Sequence, residues 1–224
     1  MQIILATFEI LDNISGEQIL GNLEAYGRVC YKSEDKMTAD SATTFVSNII
    51  NRGHESVIEH EKVTVRFICD RGVTHELVRH RIASYSQEST RYCNYSQDKH
   101  GNELTFIKPC FWQVNDEEYL MWYAQMQAAE HTYLNLIAKG TPPEQARSVL
   151  PHSLKTEIIT TMNLREWRHF CKLRTSRRSH PQMRELAVPL PRNKKLRYLP
   201  LRWCRALMCH RPRARSYPPF RLIP

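Results

Sequence analysis

The sequence predicts one large domain, or one domain with an appendage, in which strands and helices are mixed without a regular βαβ rhythm. Three observations carry that expectation. The segments KVTVRFIC (62–69) and LKTEIITTM (154–162) read as strands, and residues 116–138 hold an apolar stripe at helical spacing. Neither GxGxxG nor GxxxxGK[ST] occurs, so no glycine-rich loop is available to cradle phosphates. A chain of 224 residues with 42% apolar composition has enough material for a real core.

Taken in order, IILATF opens as a strand. Ile19, Leu23, Tyr26 and Cys30 then step by four, three and four, the spacing of one helix face. SATTFVSNIIN (41–51) reads as a second helix capped by Asp40 or Ser41. In KVTVRFIC, Val63, Val65 and Phe67 alternate with Thr64, Arg66 and Ile68, the pattern of a half-buried strand. Val73, Leu77 and His80 recur at helical spacing, so Arg79-His80-Arg81 is expected to end a helix. The helix over 116–138 has a capping-box pattern in Asn115 and Glu118, acids in its first turn and Gly140 beyond its end. Its stripe of Tyr119, Trp122, Met126, Ala129, Tyr133 and Leu136 suits a core or a subunit seam. Asn163 and Glu166 form another capping box, opening the helix LREWRHFCKLR.

Several classes are set aside. No run of eighteen apolar residues suggests a membrane span, and the first residues read as a strand, not as an export signal. Seven scattered cysteines without a CxxC suit a reducing, cytoplasmic setting. His54-x5-His60 and His75-x4-His80 miss the spacing of helical zinc ligands, and Cys204, Cys209 and His210 lack a second pair; no metal is expected. The net charge of +9 is uneven. Residues 186–224 hold ten of the 32 Lys and Arg and none of the 23 Asp and Glu, so residues 1–185 are nearly neutral. A nucleic-acid footprint over the whole surface is therefore not expected.

The stretch RHRIASYSQESTRY (79–92) sets three arginines and a histidine beside a run of hydrogen-bonding groups. On a helix, Arg79, His80 and Arg81 would fan across roughly 200° and address different surroundings. Guanidinium forks grip phosphate and carboxylate in bidentate fashion and keep their charge near neutral pH. A donor- and acceptor-rich loop beside them suits a nucleotide.

Arg79-His80-Arg81, seven residues and then Ser89 match the RHR-x7-S signature of the flavin-dependent thymidylate synthases. HESVIEH (54–60), QARSVLPHSLKTEI and TMNLREWRHFCKLRTS also resemble segments of that family, in the expected order. The resemblance covers roughly residues 1–188.

It implies an α+β fold, a mixed sheet with packed helices, assembled as a homotetramer with sites shared between chains. It also implies methylation of dUMP to dTMP, with 5,10-methylenetetrahydrofolate as carbon donor and NADPH reducing FAD. By the same resemblance Ser56, Arg79, His80, Arg81, Asn163, Leu164, Arg165 and His169 bind FAD, and His54 helps to position flavin and folate. Glu76, Leu77, Val78, Arg79, Gln87, Glu88, Ser89, Thr90, Arg91, Arg147 and Arg174 bind the substrate. Arg174 is expected to carry chemistry: a fixed cation beside the uracil ring favours loss of the ring N–H proton and makes the ring a better carbon nucleophile. Ser89 is expected to bind and not to attack, because nothing in the sequence positions a base beside it. Cys93 is expected to be a small buried residue.

From Pro189 the resemblance ends. Residues 189–224 form a basic tail with seven prolines, which forbid a long helix. Either the tail is an arm for nucleic acid or another acidic partner, or a shifted reading frame has left a poorly ordered peptide. The aperiodic mixture of Leu, Trp, Cys and Phe favours the second. The rival functions are a nucleic-acid-binding protein that uses this tail and an inactive flavin-binding homologue.

Overall fold

β-Branched and aromatic residues alternate with polar ones along two long strands, and these strands form the spine of the fold. The computed structural model describes residues 1–97 and 101–197. In chain order they form β1 (Gln2–Ile4), β2 (Thr7–Ile10), α1 (Gly16–Val29), α2 (Ser41–Asn51), β3 (Lys62–Asp70), α3 (Arg71–Leu77) and β4 (Ala83–Gln87). β5 (Thr105–Ile107), α4 (Glu117–Ala138), α5 (Pro143–Ala146), β6 (Lys155–Asn163), α6 (Leu164–Arg174), α7 (Pro181–Ala187) and α8 (Lys194–Arg197) follow. The class is α+β, as the resemblance implied.

β3 and β6 pair antiparallel from Lys62↔Asn163 to Asp70↔Lys155. β2 joins the outer edge of β3 and β4 that of β6, giving the order β2-β3-β6-β4. Val63, Val65 and Phe67 are buried while Thr64, Arg66 and Ile68 are not, as the alternation requires. Helices α1, α2, α6 and α7 cover the buried face, with Phe67, Trp167 and Phe170 among the largest fully buried side chains. A second core forms where α4 lies on β5, and it takes Tyr119, Trp122, Met126 and Tyr133 of the predicted stripe. Ala129 is buried as well, whereas Leu136 is half-buried. The stripe is a core.

Four local expectations are corrected. IILATF is not one strand: β1 pairs in parallel with β5, and the chain changes sheets at Leu5-Ala6 before β2 pairs with β3. On α1, Ile19 and Leu23 are buried but Tyr26 and Cys30 are exposed. Their place is taken by a buried Glu24–Arg28 pair, 2.6 Å between Oε1 and Nη2. Ser41 Oγ donates to Glu24 at 2.8 Å, and the Arg28 guanidinium lies 4.7 Å from the Phe45 ring centre. Gly27 makes this approach possible, since a Cβ there would come within 2.6 Å of the Phe45 ring. The Asn115–Glu118 capping box does not form; Asp116 occupies the N-cap, and its carboxylate accepts from the Gln113 N–H at 2.7 Å. Finally, α3 stops at Leu77, so Arg79-His80-Arg81 lies beyond the helix.

Packing continues past residue 188. Leu190 and Leu196 enter the main core, and Lys195 Nζ donates to the Ile10 carbonyl at 2.9 Å. The expected poorly ordered tail falls largely on residues 198–224, which lie outside the described residues, as do Cys204 and Cys209. No helix among the described residues is long and apolar enough to cross a membrane.

Candidate functional site

The RHR segment owes its geometry to a turn. After α3 ends, the Tyr85 hydroxyl reaches back from β4 to the carbonyls of Leu77 and His80, at 2.8 and 2.6 Å. That tie turns His80 into the protein, where it is 3% exposed, and leaves Arg79 and Arg81 exposed. The three residues do address different surroundings, but through a turn and not through a helical fan. Burial raises the Tyr85 hydroxyl to about 12, so it remains a donor.

His80 lies between two residues of α6. Its Nδ1 is 2.9 Å from Glu166 Oε1, and Arg174 Nε donates to its Nε2 at 3.1 Å. An arginine nitrogen can only donate, so Nε2 accepts, Nδ1 carries the ring proton and the imidazole is neutral. The electrostatics agree. Burial pushes His80 below its ordinary value; the bond to Glu166 opposes this, and the Arg174 charge reinforces it.

Arg174 also donates from Nη1 to Glu76 Oε2 at 2.6 Å and from Nη2 to the Glu76 carbonyl at 2.7 Å. Three of its five N–H groups are thus committed, fixing the guanidinium plane and leaving two for a ligand. It faces an open cleft of about 700 Å³, lined also by Glu76, His169, Lys172, Arg178 and His180. Three permanent cations against one carboxylate suit an anionic ligand. His80, Glu166 and His169 lie close enough to suggest a cation site. Both His80 nitrogens are engaged in hydrogen bonds, and Arg174 adjoins them.

The remaining candidates form two further groups. Gln87 donates to Thr74 and Thr156 at 3.1 and 3.3 Å, and Glu88 accepts from Tyr95 and Lys155 at 2.8 and 3.1 Å. Thr90 is buried with Arg147 Nη1 at 3.5 Å, while Arg91 pairs with Glu144 at 3.1 Å on the surface. The Ser89 hydroxyl meets only the Arg91 N–H, at 3.3 Å, among the described residues; no base adjoins it. Cys93 is half-buried. In the third group Ser56 and His54 are exposed, and the Tyr31 hydroxyl lies 3.1 Å from His54 Nδ1. Arg165 pairs with Glu59 and Glu55, and Arg168 with Glu55 at 3.0 Å.

One chain therefore brings Glu76, His80, His169 and Arg174 together. No hydrogen bond or ion pair among the described residues joins Arg91 or Arg147 to that group. Leu77 and Leu164 have fully buried side chains and serve the core, so only their backbones can meet a ligand. Val78 is exposed. Asn163 caps α6 as expected, its Oδ1 accepting from the Glu166 N–H at 2.8 Å. Sequence reasoning missed Lys155 and Arg168, and it read Glu166 only as half of a capping box. The His80 partner of Glu166 lies 86 residues away, beyond any local signal.

α7 carries Glu185, whose Oε2 is buried without a hydrogen-bond partner among the described residues. Burial and nearby Asp70 raise its carboxyl, although the Cys110 bond opposes the shift. Burial, with the Glu185 charge, also lifts the Cys110 thiol to about 11. A raised acid favours the folded state while protonated and costs stability once ionised. Glu185→Gln is therefore expected to raise the melting temperature at pH 8, the gain shrinking as pH falls into the carboxyl range. Thermal melts across pH check this.

The protein is mixed α+β with a cation-rich cleft, and similarity makes the class more specific. Residues 16–194 match the family model described as thymidylate synthase complementing protein. The flavin-dependent thymidylate synthase of Geobacter sulfurreducens is 38% identical over 172 residues, covering 74% of this chain and 72% of that protein. The enzyme of the same name from Pyrococcus furiosus is also 38% identical, over 72% of this chain and 66% of its own length. The crystal structure of a UMP/dUMP methylase PolB from Streptomyces cacaoi bound with 5-Br dUMP shares the fold. Its TM-score is 0.69 at 24% identity, covering 86% of this chain and 91% of that one. The chain belongs to the flavin-dependent thymidylate synthase family, a group of methyl-transferring enzymes.

Proposed function

We propose that this protein methylates dUMP to dTMP, with 5,10-methylenetetrahydrofolate as carbon donor, FAD as cofactor and NADPH as reductant. The observation that carries this reading is Arg174: its plane is fixed by three bonds, and two donors are left in an open, cation-rich cleft. A guanidinium presented flat to a uracil edge stabilises the ring after its N–H proton leaves, which turns a poor carbon nucleophile into a competent one. Gln87 to Arg91 and Arg147 hold the nucleotide, with the 2′-deoxyribose phosphate drawn to the arginines.

The residues also fit a flavin dinucleotide. Among the described residues, Arg79 and Arg81 are exposed arginines without a carboxylate partner, and Arg168 Nη1 is buried without a hydrogen-bond partner. Ser56, Arg79, His80, Arg81, Asn163, Arg165 and His169 would hold it, with Leu164 contributing its backbone. The flavin supplies reducing equivalents when bound. No hydrogen bond or ion pair among the described residues joins the Arg147 group to Arg174 within one chain, which supports a homotetramer with sites shared between chains. The scattered thiols support a cytoplasmic location.

Purified full-length protein loaded with FAD is expected to be yellow, to change its absorbance on adding dUMP and, once reduced, to release tritium from ring-labelled dUMP. A colourless protein that takes up no FAD and binds single-stranded DNA would overturn the proposal in favour of a nucleic-acid-binding role. A yellow protein that releases no tritium would be an inactive flavin-binding homologue.

A further inference from the structure

Glu166 touches no ligand in the reading above, yet its carboxylate is placed with more care than a helix start requires. Its backbone N–H is already capped by Asn163, and its side chain, 8% exposed as a residue, turns away from that cap to meet His80. Glu166 and Arg174 stand eight residues apart on α6, and the His80 ring is inserted between them. Phe170 packs on the ring from the same helix at 5.1 Å, while the Tyr85 hydroxyl is committed to backbone carbonyls. Each ring nitrogen therefore has one hydrogen-bond partner, while the His169 ring lies edge-on at 5.5 Å.

We infer that Glu166 is a positioning residue for Arg174: by accepting the Nδ1 proton of His80, it keeps Nε2 as an acceptor and so holds the guanidinium in the plane that meets the substrate. This rests on the reading that Arg174 acts on dUMP. The direction of each bond supplies the reason. Without an acceptor at Nδ1, a buried N–H loses its partner. Moving the ring proton to Nε2 relieves that loss but sets N–H against N–H at Arg174 Nε. One anchor of the guanidinium is then gone, and the Glu76 contacts alone allow it to swing. A carboxylate that merely tied the loop to α6 would act differently: its loss would weaken the fold and leave the His80 tautomer unchanged.

The test uses full-length, FAD-loaded protein with Glu166→Gln, Glu166→Leu and, as reference, Arg174→Lys. Turnover, the KM for dUMP, the melting temperature and the His80 tautomer from two-bond ¹H–¹⁵N spectra are measured together. An amide oxygen can still accept from Nδ1–H, so Glu166→Gln is expected to keep the tautomer and to hold kcat within about threefold of the parent. Glu166→Leu is expected to populate the Nε2–H tautomer and to lower kcat by about tenfold to a hundredfold, with KM little changed. Should the leucine variant not fold, Glu166→Ala admits water to Nδ1 and should show a smaller loss in the same direction. Parental kcat in the leucine or alanine variant overturns the inference, as does an unchanged tautomer with losses explained by unfolding. Parental turnover in Arg174→Lys instead overturns the reading of Arg174 itself, and this inference falls with it.

Discussion

Arg174→Lys is expected to lower turnover on the order of 10²–10³-fold, the cost of removing a fixed donor from a site of charge development, while the loaded protein keeps its flavin spectrum. A lysine retains the charge but carries all its donors on one nitrogen. It cannot at once meet His80 Nε2, the Glu76 carboxylate and the Glu76 carbonyl, which Arg174 holds at 3.1, 2.6 and 2.7 Å. The ammonium would settle on Glu76, the strongest acceptor of the three, and leave the uracil edge without an oriented partner. Single-turnover tritium release measures the loss directly. Near-parental turnover in the lysine variant would overturn the role given to Arg174.

Trp167→Ala is expected to cost about 3–5 kcal/mol of folding stability, the range for truncating a large buried aromatic residue. Since domains are stable by only about 5–15 kcal/mol, this removes a large share of the whole. Trp167 is 2% exposed, its ring meets Phe170 edge-on at 5.3 Å and Phe67 at 6.4 Å, and its indole N–H donates to the Val63 carbonyl at 3.0 Å. The side chain therefore joins α6 to β3 by both packing and a hydrogen bond. Trp167→Phe keeps a ring but loses the donor, so a smaller cost of about 1–2 kcal/mol is expected. Denaturant unfolding of both variants checks the order.

What the sequence made legible follows from how local each signal is. β3 was readable because Val63, Val65 and Phe67 alternate on one strand, and α4 because its stripe repeats on one helix. Asn163 was readable as a cap because its partner, the Glu166 N–H, is three residues away. The misses have partners elsewhere in the chain. IILATF is apolar enough to be one strand, and only the pairing of β1 with β5 and of β2 with β3 divides it. The α1 face was misjudged because Glu24 and Arg28 neutralise each other and Ser41 completes the shell, so two charged residues take an interior position. At the site, the resemblance named His80, His169 and Arg174; His169 and Arg174 line the cleft, and the buried His80 accepts from Arg174. It could not show that His80 is neutral, since that follows from what Glu166 and Arg174 place on either side.

Helix α6 begins at the Asn163 cap, reaches Glu166 within its first turn and ends at Arg174, so one rigid rod sets the spacing of everything around His80. A residue inserted between Glu166 and Arg174 would rotate the C-terminal half by about 100° and advance it by about 1.5 Å. The guanidinium would swing away from the imidazole altogether. Exchange of solvent-facing residues is compatible with this rod, but a change in its length is not, so growth or shrinkage of the chain must be absorbed in the loops that it joins.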